Sequence, residues 1–420
     1  MLQLSCKLLT SRSYSNYSSI ETFTEKGMHD YSSLLNDFNN AYSTYEQNAG
    51  YILTSNLLDT SVRSGFSLAD WNPKKNMMAQ AVEWWSFDWE YSYAPEQSSA
   101  LWAVVNYNTT FYQYSAENNY VYDSRGFNTI IKGEASTYLN CTLIYNCSGD
   151  KRLLLNTKVN KIAHNNTGVT ITNADGSCIT ASYAILTVSL GVLQNEVITF
   201  SPPFPDWKQS AIATFQMGTY TKVFLQFPPD KVFWDKQTQF FLYADPVERG
   251  YYPVWQSLDG PGFLPGSGIF FATVVDYQSY RAEAQDDATV KAQVMAVLRK
   301  MYGAKNVPEP IAFMYPRWSL EEWTFGSYSN WPPGTTLEQH QNLRANLGRL
   351  YFAGEATSTE YYGFLQGAWF EGREAGRLIA GCLNKTGSCP GMENYAVLHG
   401  TQQVSQYNEA NGWMVQSIGF

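Results

Sequence analysis

Tyr351-Phe-Ala-Gly-Glu355-Ala-Thr-Ser-Thr-Glu360-Tyr-Tyr-Gly363-Phe-Leu365-Gln-Gly367-Ala-Trp-Phe-Glu-Gly372-Arg-Glu-Ala-Gly376-Arg-Leu-Ile-Ala380 decides the fold. It opens as a short apolar strand from Leu350 to Ala353 and turns at Gly354-Glu355. After a polar stretch it becomes a helical pattern carrying Gly367, Gly372 and Gly376. Strand, glycine turn and helix together present free backbone N–H groups and the positive end of a helix dipole to a pyrophosphate. Small residues along the helix would let it approach a sheet or a ring system closely.

Outward from that stretch, Tyr31, Leu34, Leu35, Phe38 and Tyr42 recur at helical spacing, so residues 29 to 60 read as helix. An aromatic-rich helix is expected from Ala79 to Tyr93. Between Ile130 and Leu193 the pattern turns to strands: Arg152 to Leu155, Val159 to Ala163, Val169 to Thr172 and Ala184 to Leu190. Turn signals punctuate them at Asn165-Asn-Thr-Gly and Asp175-Gly. Tyr220 to Phe227 and Gly268 to Val275 read as further strands, and Asp286 to Tyr302 as an amphipathic helix stopped by Gly303.

Bulk properties narrow the function. A chain of 420 residues exceeds one ordinary core, so two domains are expected. A net charge of −9 argues against nucleic acid and suits a cationic ligand. Aromatic residues at 16% suit a slot for a flat cofactor or a cation. The four histidines are scattered and the six cysteines form no Cys-x-x-Cys pair, so no metal site is expected. Cys141 with Cys147, and Cys382 with Cys389, are spaced to close short loops, although six cysteines allow many pairings.

Asn16, Asn108, Asn140, Asn146, Asn165 and Asn384 open glycosylation sequons, which with the cysteines point to a secreted protein. Met1 to Lys7 nevertheless lacks the basic and apolar regions of a signal peptide. No apolar run is long enough to span a membrane.

Tyr-Phe-Ala-Gly-Glu, Tyr-Gly-Phe-Leu-Gln-Gly-Ala and Gly-Arg-Glu-Ala-Gly resemble the C-terminal flavin-binding signature of the FAD-dependent amine oxidases, the polyamine oxidase branch most closely. The resemblance covers about residues 15 to 400 and lacks the opening Gly-x-Gly-x-x-Gly βαβ unit of that family, an estimated hundred or so residues. It implies an α/β and α+β fold of two interleaved domains. A Rossmann-like but incomplete FAD domain would hold 124–212 and 331–388. A substrate domain, a mixed sheet flanked by helices, would hold 1–123 and 213–330, followed by a tail at 389–420.

It also implies roles for residues. Lys222, in Tyr-Thr-Lys-Val-Phe-Leu, would be catalytic. Strand alternation puts it with Tyr220 and Phe224 on one face, and Val223, Leu225 and Phe227 on the other. Glu90, preferred over Glu83 and Asp88 by its match to Phe-Asp-Tyr-Glu, would bind substrate with Tyr91, Tyr220, Tyr328 and Phe364. FAD would be held by Val159, Trp318, Gly354, Glu355, Gly363, Phe364 and Leu365. The implied reaction is oxidation of a small cationic polyamine by dioxygen. The alternatives are a flavin-free remnant without catalysis, and an oxidase of monoamines or methyl-lysine.

Overall fold

The computed structural model describes residues 13–14, 19–114, 120–142, 146–383 and 391–402, with the backbone alone for 13–14 and 108–114. Its largest sheet has seven strands in the order Ala312–Met314, Tyr220–Gln226, Ile269–Val275, Val254–Ser257, Phe240–Tyr243, Ile20–Thr24 and Gly27–Met28. All neighbours are antiparallel except Phe240–Tyr243 and Ile20–Thr24, which run parallel.

The sheet is covered on both faces, and the alternation of Tyr220–Gln226 shows how. Thr221, Val223 and Leu225 are buried, while Tyr220, Lys222, Phe224 and Gln226 keep some surface. Val223, Leu225 and Phe227 join Phe270, Ala272 and Val274 against Val290, Val294, Leu298 and Met301 of the Asp287–Tyr302 helix. That helix starts where the Asp286 side chain accepts from Thr289 N at 2.9 Å, and it ends at Gly303 with φ 87°. Leu242, Val254 and Val275 from the sheet share a second core with Phe38, Tyr45, Phe66, Trp84, Phe87 and Tyr91, and Tyr220 packs against it. Helices Ser32–Thr54, Val62–Leu68, Met77–Glu83 and Ala100–Tyr114 supply most of this layer.

Apart from the large sheet, Cys178–Ala181, Val169–Asn173, Val159–His164 and Thr199–Ser201 form a four-stranded sheet, and Leu350–Phe352 pairs in parallel with Ala184–Leu186. Leu350 and Phe352 pack with Ile162, Val169, Val192 and Ile198. Lys208 is fully buried beside them. Its ammonium donates to the carbonyls of Asn342 at 3.1 Å and Ala345 at 2.8 Å, closing the Leu337–Arg344 helix. Among the described residues no helix is long and apolar enough to cross a membrane.

Several expectations need correction. Arg152 to Leu155 forms no strand, because Arg152 is tied to Asp150 and Leu154 and Leu155 are exposed. Asn128–Ala135 is helix, and the strand from Ala184 stops at Leu186 before a short helix capped by Ser189. The first long helix spans Ser32–Thr54. The aromatic helix is broken in register by a π-helical turn at Trp84–Asp88.

Among the described residues, the signature helix, Leu365–Leu383, makes a close approach at only one of its three motif glycines. A Cβ on Gly367 would stand 2.2 Å from the Tyr361 carbonyl oxygen, whereas one on Gly372 or Gly376 meets nothing within 4 Å. Gly367→Ala should therefore destabilise the fold by about 1–3 kcal/mol through overpacking. Gly372→Ala and Gly376→Ala should each stabilise it by up to about 1 kcal/mol through helix propensity. Denaturant unfolding of the three variants measures this contrast.

Candidate functional site

A cavity of about 150 Å³ lies where the sheet, the helical layer and the signature segment meet, lined by Trp89, Glu90, Tyr91, Asn106, Tyr220, Tyr328, Ser329, Asn330, Tyr362, Gly363 and Phe364. Five residues singled out from the sequence as substrate-binding are thus brought together: Glu90, Tyr91, Tyr220, Tyr328 and Phe364. Lys222 is not part of the lining but stands against one of its walls, its ammonium 4.2 Å from the Tyr220 ring centroid.

Each wall is fixed from outside. The Tyr328 hydroxyl donates to the Glu90 carbonyl at 2.8 Å, and its ring stands 5.9 Å from that of Tyr220. Tyr91 stacks on Phe87 at 4.5 Å and donates its hydroxyl to the Ala103 carbonyl at 2.8 Å. Trp89 stacks on Trp85 at 4.6 Å. Asn106, on a helix without any motif to mark it, donates to the carbonyls of Glu360 at 3.3 Å and Tyr362 at 2.9 Å. It moors the polar turn of the signature to the helical layer. No pattern in the sequence singles it out.

Glu90 and Lys222 are the charged pair of the cavity. Burial pushes the Glu90 carboxyl up to about 7, against the pull of Lys222. Burial likewise drives the Lys222 ammonium down to about 8, against the pull of Glu90. Glu90 keeps some surface because it faces the cavity, and the low polarity of the walls is what raises it. Both groups are therefore poised to change charge near neutral pH. The other two acidic residues of the same helix are occupied elsewhere: Glu83 accepts from Arg63 and Arg249, and Asp88 from Arg249.

Gly354 and Glu355 stand beside this cavity. The Glu355 carboxylate accepts from Ser329 N at 3.1 Å, Ser329 Oγ at 2.7 Å and Gly363 N at 2.5 Å, which ties the strand turn to the helix start. Burial raises its pKa. A carboxylate offers about four lone-pair sites, so room remains for a ligand hydroxyl. Gly354 has φ 150°, and a Cβ there would meet nothing within 4 Å, so open space lies in front of the turn. This donor and acceptor set, beside an aromatic slot, fits a ribityl or ribose hydroxyl of a dinucleotide.

Lys222, Gly354 and Glu355 lie outside the cavity lining, as do three further expected residues. Val159 starts a strand of the four-stranded sheet, Trp318 is 38% exposed on a 3₁₀ turn, and Leu365 is 66% exposed. A larger hollow of about 830 Å³, lined by Leu193, Phe200, Phe204 and Ile212 among others, contains none of the residues expected to carry chemistry. Among the described residues no group of His, Cys, Asp and Glu could hold a metal ion.

Comparison with known proteins bears on the family and the fold. A family model described as flavin containing amine oxidoreductase matches residues 115–380. Polyamine oxidase 6 of Oryza sativa subsp. japonica is 37% identical over 331 residues, 78% of this chain and 65% of its own length. Polyamine oxidase 1 of Zea mays is 38% identical over 306 residues, 72% of this chain and 60% of its own length. The chain thus spans somewhat under two thirds of these relatives. A solved structure of putrescine oxidase bound to putrescine superposes with a TM-score of 0.69 at 17% identity, over 90% of this chain and 85% of that one, which supports the fold.

The charged pair predicts a pH dependence of stability. From pH 4.5 to about 7 the folded protein holds a proton on Glu90 that the unfolded chain releases, so stability falls as pH rises through that window. From about 8 to 10.5 the unfolded chain holds the Lys222 proton and the folded protein does not, so stability rises there. Glu90→Gln should therefore gain on the wild type progressively from pH 4.5 to about 7 in urea unfolding. A difference that stays constant across that range would show Glu90 to be freely solvated.

Proposed function

The chain belongs to the flavin containing amine oxidoreductase family, and on that premise we propose that it serves as an FAD-dependent oxidase of polyamines. The observation that carries the proposal is the aromatic cavity lined by Glu90, with Lys222 from the facing layer set against its Tyr220 wall close enough to interact with Glu90. When bound, FAD supplies the acceptor for the two electrons of an amine C–H bond, and dioxygen removes them as hydrogen peroxide. Gly354, Glu355 and Gly363 to Leu365 would hold it, with Val159 and Trp318 as outer contacts.

The protein's own part is orientation and desolvation. Glu90, once ionised, anchors a substrate ammonium, and cation–π attraction from Tyr91, Tyr220 and Tyr328 adds roughly 0.5–2 kcal/mol. The reacting nitrogen must be neutral, and the aromatic walls favour its neutral form by excluding water. Lys222, its pKa lowered to about 8 by burial, would assist at the flavin through a water, holding its proton below that pH and releasing it to solvent above. The resulting imine hydrolyses to an aldehyde. A polyamine suits the site because it offers one ammonium to Glu90 and a second, neutral nitrogen for reaction.

We place the protein outside the reducing cytosol. Cys141 and Cys147 form a disulfide, and the sequon residues Asn140, Asn146 and Asn165 are exposed. Cys6, Cys389, Asn16 and Asn384, together with Met1 to Lys7, lie outside the described residues, as does the side chain of Asn108.

The test is a visible absorption spectrum of the purified chain mixed with FAD and desalted, followed by a peroxide assay on spermidine. Retained flavin bands and peroxide formation are expected, with the rate rising as pH passes about 7, where Glu90 ionises. Lys222→Met should lower kcat by roughly 10²–10⁴-fold, the range for a lost general acid or base, with little change in spermidine binding. A colourless, inactive protein would favour the flavin-free alternative.

A further inference from the structure

Glu83 and Glu90 stand one heptad apart, and in an unbroken α-helix they would share a face to within about 20°. The structure sends them in different directions. Glu83 is fully buried and its carboxylate accepts from Arg63 Nη1 at 2.7 Å, Trp71 Nε1 at 2.9 Å and Arg249 Nη2 at 2.9 Å. Glu90 lines the cavity instead. Between them lies the π-helical turn Trp84–Asp88, whose extra residue rotates all that follows by about 100°. The orientation of Glu90 therefore depends on that turn.

A π turn is an uncommon geometry that persists where its surroundings hold it. Here the holder is Arg249, delivered by the loop after the Phe240–Tyr243 strand. Its guanidinium meets Asp88, the last residue of the turn, with a fork: Nη1 to Oδ2 at 2.5 Å and Nη2 to Oδ1 at 2.8 Å. The same Nη2 reaches Glu83, the residue just before the turn. One side chain thus spans both ends of the π turn. Gly250, with φ 75°, lets this loop lie against the turn's first residue, since a Cβ there would stand 3.0 Å from Trp84 Nε1.

We infer that Arg249 and Asp88 are positioning residues that hold the π turn and thereby aim Glu90 into the cavity. The inference rests on the reading of Glu90 as the amine anchor. Loss of the fork removes the reason for the extra residue, and the helix relaxes toward α register with Glu90 turned away from its ligand. Neither Arg249 nor Asp88 lines the cavity, so their effect on a ligand must pass through Glu90.

The test is isothermal titration of the full chain with spermidine, which needs neither flavin nor turnover. Arg249→Met and the isosteric Asp88→Asn should each weaken binding about tenfold, as should Glu90→Gln, the size expected for a lost charged contact. Adding Glu90→Gln to Arg249→Met should weaken it no further, because both act through one carboxylate. Arg249→Lys should recover part of the affinity. Additive losses, or a folded Arg249→Met with wild-type affinity, overturn the inference. If Arg249→Met does not fold, Asp88→Asn decides by the same criterion. A wild-type chain that takes up no spermidine overturns the functional reading and this inference together. Binding weakened by Glu90→Gln but not by Asp88→Asn overturns the positioning role alone.

Discussion

The two-sided burial of the Tyr220–Gln226 strand is the constraint on which the site depends. A strand can only send successive side chains to opposite faces, so each residue given to the core commits its neighbour to the other side. Val223 and Leu225 are held against the Asp287–Tyr302 helix, and this leaves Tyr220 and Lys222 no choice but the face where the helical layer lies. A register slip by one residue would bury the lysine in an aliphatic core and expose Val223. The seven-residue ladder to Ile269–Val275 excludes that slip.

Charge burial is distributed unevenly around this frame. Glu83, Asp88, Arg63 and Arg249 lie close enough to satisfy one another, and such a network is stable chiefly while every partner is present. Asp88 is still pushed up to about 6 by its burial. Glu90 and Lys222 lack that degree of compensation, and burial shifts both toward neutrality, to about 7 and about 8. Perturbed groups facing a cavity are where chemistry is expected, while the satisfied network beside them is structural support. The same division holds further along the chain, where Glu371 pairs with Arg344 in the interior and Glu355 stays at the open turn.

Much of this was legible in the residues themselves. The strand–turn–helix of the signature, the alternation around Lys222, and the capped helix from Asp286 to Gly303 all follow from local periodicity and turn chemistry. Arg152 to Leu155 misled because an apolar run reads as a strand whether or not a neighbour exists to pair with it. Gly372 and Gly376 have no close neighbour among the described residues, since a glycine shows only that close approach is permitted. Asn106 carried no signal, since its value lies in two carbonyls more than two hundred and fifty residues away in the chain.

Sequence by itself determined the elements, their amphipathic faces and the family signature, because those rest on interactions between residues close together in the chain. The resemblance singled out Glu90 among Glu83, Asp88 and Glu90, but what turns it toward the cavity was decided by the tertiary structure. Spaced by helical periods, Glu83 and Glu90 are equivalent until a π turn separates them, and that turn is held by an arginine from a distant loop. Long-range ion pairing of this kind leaves no periodic trace in a sequence, yet it sets the direction in which a single side chain points.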